Sequence, residues 1–79
     1  MYTSTRSKNA MRIVIDLMRH REPCRVADIA QRQELPVIYT KTLLIPLVKS
    51  AIVKKTQGKF KLGKTTDQFT LADIIQAVN

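Results

Sequence analysis

Apolar residues recur along this chain in two rhythms. Ala10, Ile13, Val14, Leu17 and Met18 stand at i, i+3, i+4, i+7 and i+8, the stripe of an amphipathic helix. Ser4 and Thr5, both capping types, precede it, so the spacing predicts a first helix from about Thr5 to Arg19, with Arg6, Lys8, Arg12 and Arg19 on its other faces. Pro23 breaks the pattern, Cys24 suits a one-residue β bridge, and Val26, Ile29 and Ala30 mark a short second helix over Val26 to Gln33. Glu34-Leu35-Pro36 reads as a turn. Pro36 suits the first position of a third helix whose stripe is Val37, Tyr39 or Thr40, Leu43, Leu44, Leu47 and Val48. Two short helices joined in this way predict a helix-turn-helix.

The period then changes to two. Ile52 to Thr56 and Lys59 to Leu62 flank Gln57-Gly58, where Gly58 supplies the positive φ of a tight hairpin turn. Pairing Thr56 with Lys59 sets Val53 opposite Leu62 and Lys55 opposite Phe60 on one side, with Lys54 opposite Lys61 on the other. Like charges directly opposite one another are destabilising, so Lys54, Lys59 and Lys61 make more sense beside phosphates than in free solvent. Thr70-Leu71-Ala72-Asp73 is a capping box with Asp in place of Glu, and opens a last helix predicted to bury Leu71, Ile74, Ile75 and Val78. The order is helix, helix, helix, hairpin, helix. It predicts a mainly α protein with a small β-hairpin, a winged helix-turn-helix.

Seventy-nine residues, 44% of them hydrophobic, make one small domain over residues 1–79, with a core of about fifteen side chains and little room for a catalytic cleft. No run approaches the ~18 apolar residues of a membrane helix, and Asp16 interrupts Ile13-Val14-Ile15, so neither a membrane span nor a signal peptide is expected and the chain is placed in the cytoplasm. Cys24 is the one cysteine. It can form no internal disulfide, and with only His20 to join it, it cannot complete a metal site, so it is expected to be an apolar filler. His20, between Arg19 and Arg21, is expected at the surface, and no carboxylate pair or Gly-rich phosphate loop accompanies it. No enzyme activity, cofactor or small-molecule substrate is expected.

Charge decides the partner. The chain carries +8, and Leu35 to Thr66 holds seven lysines (Lys41, Lys49, Lys54, Lys55, Lys59, Lys61, Lys64) and no acid. Everywhere else seven basic residues meet six acidic ones. A block of one sign raises a local potential that attracts a polyanion, so double-stranded DNA is the expected partner. A protein-interaction module whose lysines face an acidic partner is the alternative. RNA or nonspecific nucleic-acid binding is less well supported, since Tyr2, Tyr39, Phe60 and Phe69 are too few and too scattered for a base-stacking platform.

The residues also resemble a known family. Thr5-Arg6-Ser7-Lys8 leading to Ala10 and Asp16-Leu17, then Val26-Ala27-Asp28-Ile29-Ala30 with Gln33, are similar to the DNA-binding domain of the IscR, NsrR and CymR regulators, the Rrf-two family of bacterial transcription factors. So are Tyr39 with Leu43, Pro46-Leu47 and Ile52-Val53, and Phe60-Lys61-Leu62-Gly63-Lys64 followed by Thr70 to Val78. The resemblance implies a dimer with the third helix in the major groove and the wing along or in the minor groove. By it, Tyr39, Thr40, Lys41 and Thr42 meet DNA from the helix, Arg6 and Lys8 approach the phosphate backbone, and Lys54, Gln57, Lys59 and Lys61 do so from the wing. Lys41 replaces a customary glutamate, so a different sequence preference is implied. Pro36 replaces a capping serine, and Gln57-Gly58-Lys59 is shorter than the usual arginine- and glycine-rich wing, which argues against minor-groove insertion. Pro46 removes the hydrogen bond to the Thr42 carbonyl and should bend the helix, and some members of the family also carry it there. The family's cluster-binding cysteines and dimerisation helix would lie beyond Val78-Asn79, so no iron-sulfur cluster is expected. Half-sites about 34 Å apart need two recognition helices, which implies a homodimer or a partner protein.

Overall fold

The computed structural model describes residues 4–79; Tyr2 lies outside the described residues. Four helices and one hairpin follow in the expected order: α1 (Thr5–Met18), α2 (Val26–Gln33), α3 (Val37–Lys49), β1 (Val53–Thr56), β2 (Lys59–Leu62) and α4 (Leu71–Val78). Ser4 caps α1 by accepting from the Ser7 backbone N–H at 3.1 Å. Thr70 and Asp73 form the reciprocal capping box of α4, with hydrogen bonds of 2.8 and 3.2 Å. Among the described residues no helix is long and apolar enough to cross a membrane.

Ala10, Ile13, Val14 and Leu17 of α1 pack against Ile29 of α2, Leu43, Leu44 and Leu47 of α3, Ile52 and Val53 at the start of the wing, and Ile74 and Val78 of α4. Four residues assigned to apolar stripes fall outside this core: Met18, Val37 and Leu71, the last 62% exposed, and Ile75, which is half-buried. Met18, Val37 and Leu71 stand at helix ends, and α4 turns Ile74, Ala77 and Val78 to the core, which leaves Ile75 on its flank. Pro36 is also displaced by one position. It is the extended N-cap of α3, with φ −60° and ψ 142°, and the helix begins at Val37.

The hairpin register is the one read from the sequence: Val53 opposite Leu62, Lys54 opposite Lys61, Lys55 opposite Phe60 and Thr56 opposite Lys59. Gln57 (φ 52°) and Gly58 (φ 77°) are both left-handed, which is what a two-residue turn matched to strand twist requires. Cys24 and Phe60 exchange both backbone hydrogen bonds at 2.8 Å, so the bridge fastens the outer edge of β2 to the turn before α2. That anchor holds the wing against the helices. Its buried Cys24 side chain fills space beside Phe60 in the core cluster.

Three non-glycine residues, Glu34, Ala51 and Gln57, have left-handed backbone. Ala51 follows the C-cap of α3 with φ 65°, a left-handed conformation that costs a residue bearing a Cβ about 1–2 kcal/mol. Ala51→Gly removes that cost while adding unfolded-state entropy, for a net stabilisation of about 0.5–1 kcal/mol. The melting temperature of this exposed-site variant should rise by a few degrees, and a fall would show that the strain is absent.

Candidate nucleic-acid interface

Helix α3 has an inner and an outer face. Thr40, Leu43, Leu44 and Leu47 are buried, while Ile38, Lys41, Thr42 and Ile45, at i, i+3, i+4 and i+7, are exposed. Thr40 is therefore a correction to the contacts inferred from the family: its side chain is fully buried and its hydroxyl donates back to the Pro36 carbonyl at 2.9 Å. Tyr39 is half-buried and its hydroxyl accepts from Asn9 Nδ2 at 3.2 Å. This bond brings the first half of α1, where Lys8 is exposed, to the opening turn of α3. The Thr42 hydroxyl donates to the Ile38 carbonyl at 3.0 Å, so its lone pairs and methyl remain for a partner.

Alternation along the hairpin puts Lys54, Thr56, Lys59 and Lys61 on one face and Val53, Lys55, Phe60 and Leu62 on the other. Lys55 Nζ lies 5.7 Å from the centroid of the Phe60 ring, a cation–π contact that carries this lysine toward the helices. As a result Lys41, Ile45 and Lys49 of α3 and Lys55 and Gly58 of the wing line one groove of about 530 Å³, floored by Val26, Leu44, Val48 and Phe60. No acid lines it. Gln57, Lys59 and Lys61 are exposed beside it along the wing, and Lys54 lines a separate shallow cleft with Ala51 and Gly63. None of the seven lysines between Leu35 and Thr66 forms an ion pair among the described residues.

Arg6 already has a partner within the fold: its Nε donates to the Val78 carbonyl at the end of α4, where a cation complements the helix C-terminus. Lys49 and Lys55, absent from the inferred contact set, do line the groove. The lysine block contained them, but the groove forms only where the last turn of α3, carrying Lys49, meets the face of the hairpin that carries Lys55. Ile38 and Ile45 were also missed, and their signal was that each falls off the apolar stripe of α3.

A polar network lies on the other side of α1. The Asp16 carboxylate, almost fully buried, accepts from Arg32 Nη2 at 2.7 Å, from Arg32 Nε at 3.0 and 3.2 Å, and from Gln33 Nε2 at 2.8 Å. Burial alone would raise its pKa. The hydrogen bonds from Arg32 and Gln33, together with the charges of Arg32 and His20, outweigh burial and hold Asp16 below the ordinary 3.8. His20 was expected at the surface; its ring is 39% exposed and Nδ1 lies 2.7 Å from the Asp16 carbonyl oxygen. Asp16, His20 and Cys24 bring one donor atom each to within 4.8 Å of one another.

Comparison with known proteins agrees with this architecture. A family profile described as Rrf2, iron-dependent transcriptional regulator, matches residues 3–79. A protein of Haemophilus influenzae named as an HTH-type transcriptional regulator is 30% identical over 84 residues, spanning 100% of this chain and 56% of that one. The solved structure of T. potens IscR superposes with a TM-score of 0.89 at 27% identity, over 100% of this chain and 61% of that one. CymR, titled the global cysteine regulator of B. subtilis, superposes with a TM-score of 0.88 at 30% identity, over 100% of this chain and 65% of that one. The chain thus spans about half the length of the curated relatives it matches. Iron, which the profile's description names, does not fit the residues described. A cation bound by Asp16 would stand beside the Arg32 guanidinium that already occupies the carboxylate, and a cluster needs several thiolates where the chain has one cysteine.

Proposed function

The chain belongs to the Rrf2 family of transcriptional regulators, and on that premise we propose that it regulates by binding duplex DNA through the outer face of α3 and the lysine-rich wing. The observation that carries this reading is the groove where Lys41 and Lys49 of α3 meet Lys55 of the wing with no acid among its lining residues. Lysines there and at Lys59 and Lys61 neutralise phosphates and release counterions, which fixes orientation without reading sequence. Lys41 and Thr42, on the exposed face, are assigned to base edges in the major groove. Thr40 is withdrawn, being buried with its hydroxyl on the Pro36 carbonyl, while Arg6, bonded to the Val78 carbonyl through Nε, keeps its Nη groups for a phosphate. No side chain caps the N-terminus of α3, so the positive end of its dipole is open to a phosphate. One copy, 33 Å along its longest axis, covers one half-site, so a palindromic operator with centres about 34 Å apart would engage a homodimer or a partner protein.

Binding to random duplex DNA across a salt series tests the proposal. Four to six phosphate contacts should each steepen log K against log salt by roughly 0.9. Lys59→Ala with Lys61→Ala should weaken binding about equally for all sequences and flatten that slope by about 2. Lys41→Ala or Thr42→Ala should change the preferred sequence in a random-pool selection, at about 1–3 kcal/mol on the parent's best site. A flat salt response would instead favour a protein-interaction module. A preferred motif that moves with the wing variants and not with the helix variants would reverse the division of roles.

A further inference from the structure

Ile38 is 80% exposed, more than any other large apolar side chain among the described residues. It is the second residue of α3 and stands outside that helix's buried face. Folding does not account for it. An exposed isoleucine forgoes the gain of burial, and its branched Cβ makes it a poorer helix former than the lysine or glutamate that usually covers a solvent-facing position. Val37 beside it is 41% exposed, no acid lies in this first turn, and Lys41 and Thr42 follow on the same face one turn later.

We infer that Ile38 is a specificity-determining residue of this interface and that it reads thymine, by packing its branched side chain on the C5 methyl group in the major groove. The inference rests on the DNA-binding reading above and deepens it. In helix-turn-helix docking the first residues of the recognition helix are the ones that reach base edges. The groups presented there are hydrogen-bond donors and acceptors, the small C5–H of cytosine and the thymine methyl, and the methyl is the one that offers a hydrocarbon side chain a surface to pack on. Lys41 and Thr42, one turn further along the same face, contact the adjoining phosphates or bases. Ile38 thus adds discrimination where charge supplies only affinity.

The methyl can be removed without altering pairing by replacing thymine with deoxyuridine. The 79-residue protein is first used to select a preferred duplex from a random pool at low salt, and each thymine of that duplex is then replaced singly. One or two positions should bind about fourfold more weakly as uracil, the loss expected for one buried methyl group. The same positions should be indifferent to uracil in Ile38→Ser, and Ile38→Val should retain part of the response. Because the side chain is exposed, these variants should melt with the parent, which separates a contact from a folding defect. A selected motif with no uracil-sensitive thymine, or a sensitivity that survives in Ile38→Ser, overturns the assignment and leaves DNA binding intact. A pool that yields no preferred motif overturns base reading by α3 and this inference with it.

Discussion

Asp16→Ala is expected to cost about 2–3 kcal/mol of stability, among the largest losses a single substitution in this chain can cause. Removing one member of a buried ion pair typically costs about 3–5 kcal/mol. Here the partner guanidinium is 35% exposed and can recover part of its hydration, which lowers the figure. The loss is large because one carboxylate ties α1 to both Arg32 and Gln33 at the end of α2. Acid should act in the same direction. The pKa of Asp16 is lower in the folded chain than its ordinary 3.8, so its ionisation stabilises the fold fully above that value and progressively less as pH falls through the lowered folded pKa. Melting temperatures between neutral pH and about pH 2 should therefore drop on the acid side in the parent, and Asp16→Asn should start lower and fall less. An Asn variant with the parent's full acid limb would show that other carboxylates carry it.

Gly63→Ala is expected to cost about 2–3 kcal/mol, for a steric reason remote from any polar contact. A Cβ at Gly63 would stand 2.6 Å from the backbone oxygen of Ala51, with Lys54 Cβ and N both at 3.4 Å. That oxygen cannot easily retreat. It belongs to the left-handed residue that joins α3 to the wing, and the next carbonyl, that of Ile52, accepts from the Gly63 N–H at 2.9 Å to close the base of the wing. Overpacking against backbone costs about 1–3 kcal/mol, and for a chain of this size that corresponds to roughly 10 °C or more in melting temperature. Hydrogen exchange of the β1 and β2 amides should accelerate more than that of α1. A variant melting within a few degrees of the parent would mean that the α3–wing junction yields.

Much of this architecture is local and so was legible in the sequence. The capping residues Ser4, Thr70 and Asp73, the breaks near Pro23 and Pro36, and the two-residue turn at Gln57-Gly58 each act within a few positions, and period-two alternation determined the register of the wing. The distribution of charge was legible for the same reason: seven lysines without an acid between Leu35 and Thr66 stay a basic segment however it folds. Which side chains face outward was decided by tertiary packing. Thr40 reads as a polar residue on a recognition helix, yet in the folded chain it is fully buried. Arg6 reads as a free cation until α4 folds back and offers it the Val78 carbonyl, 72 positions away. Lys55 belongs to the groove because Phe60 lies opposite and Cys24 holds β2 to the helices, and Ile38 stays exposed because no neighbouring element covers that side of α3. Periodicity and capping depend on residues a few positions apart, whereas exposure depends on which distant element arrives to cover a face, and only the folded chain brings those elements together.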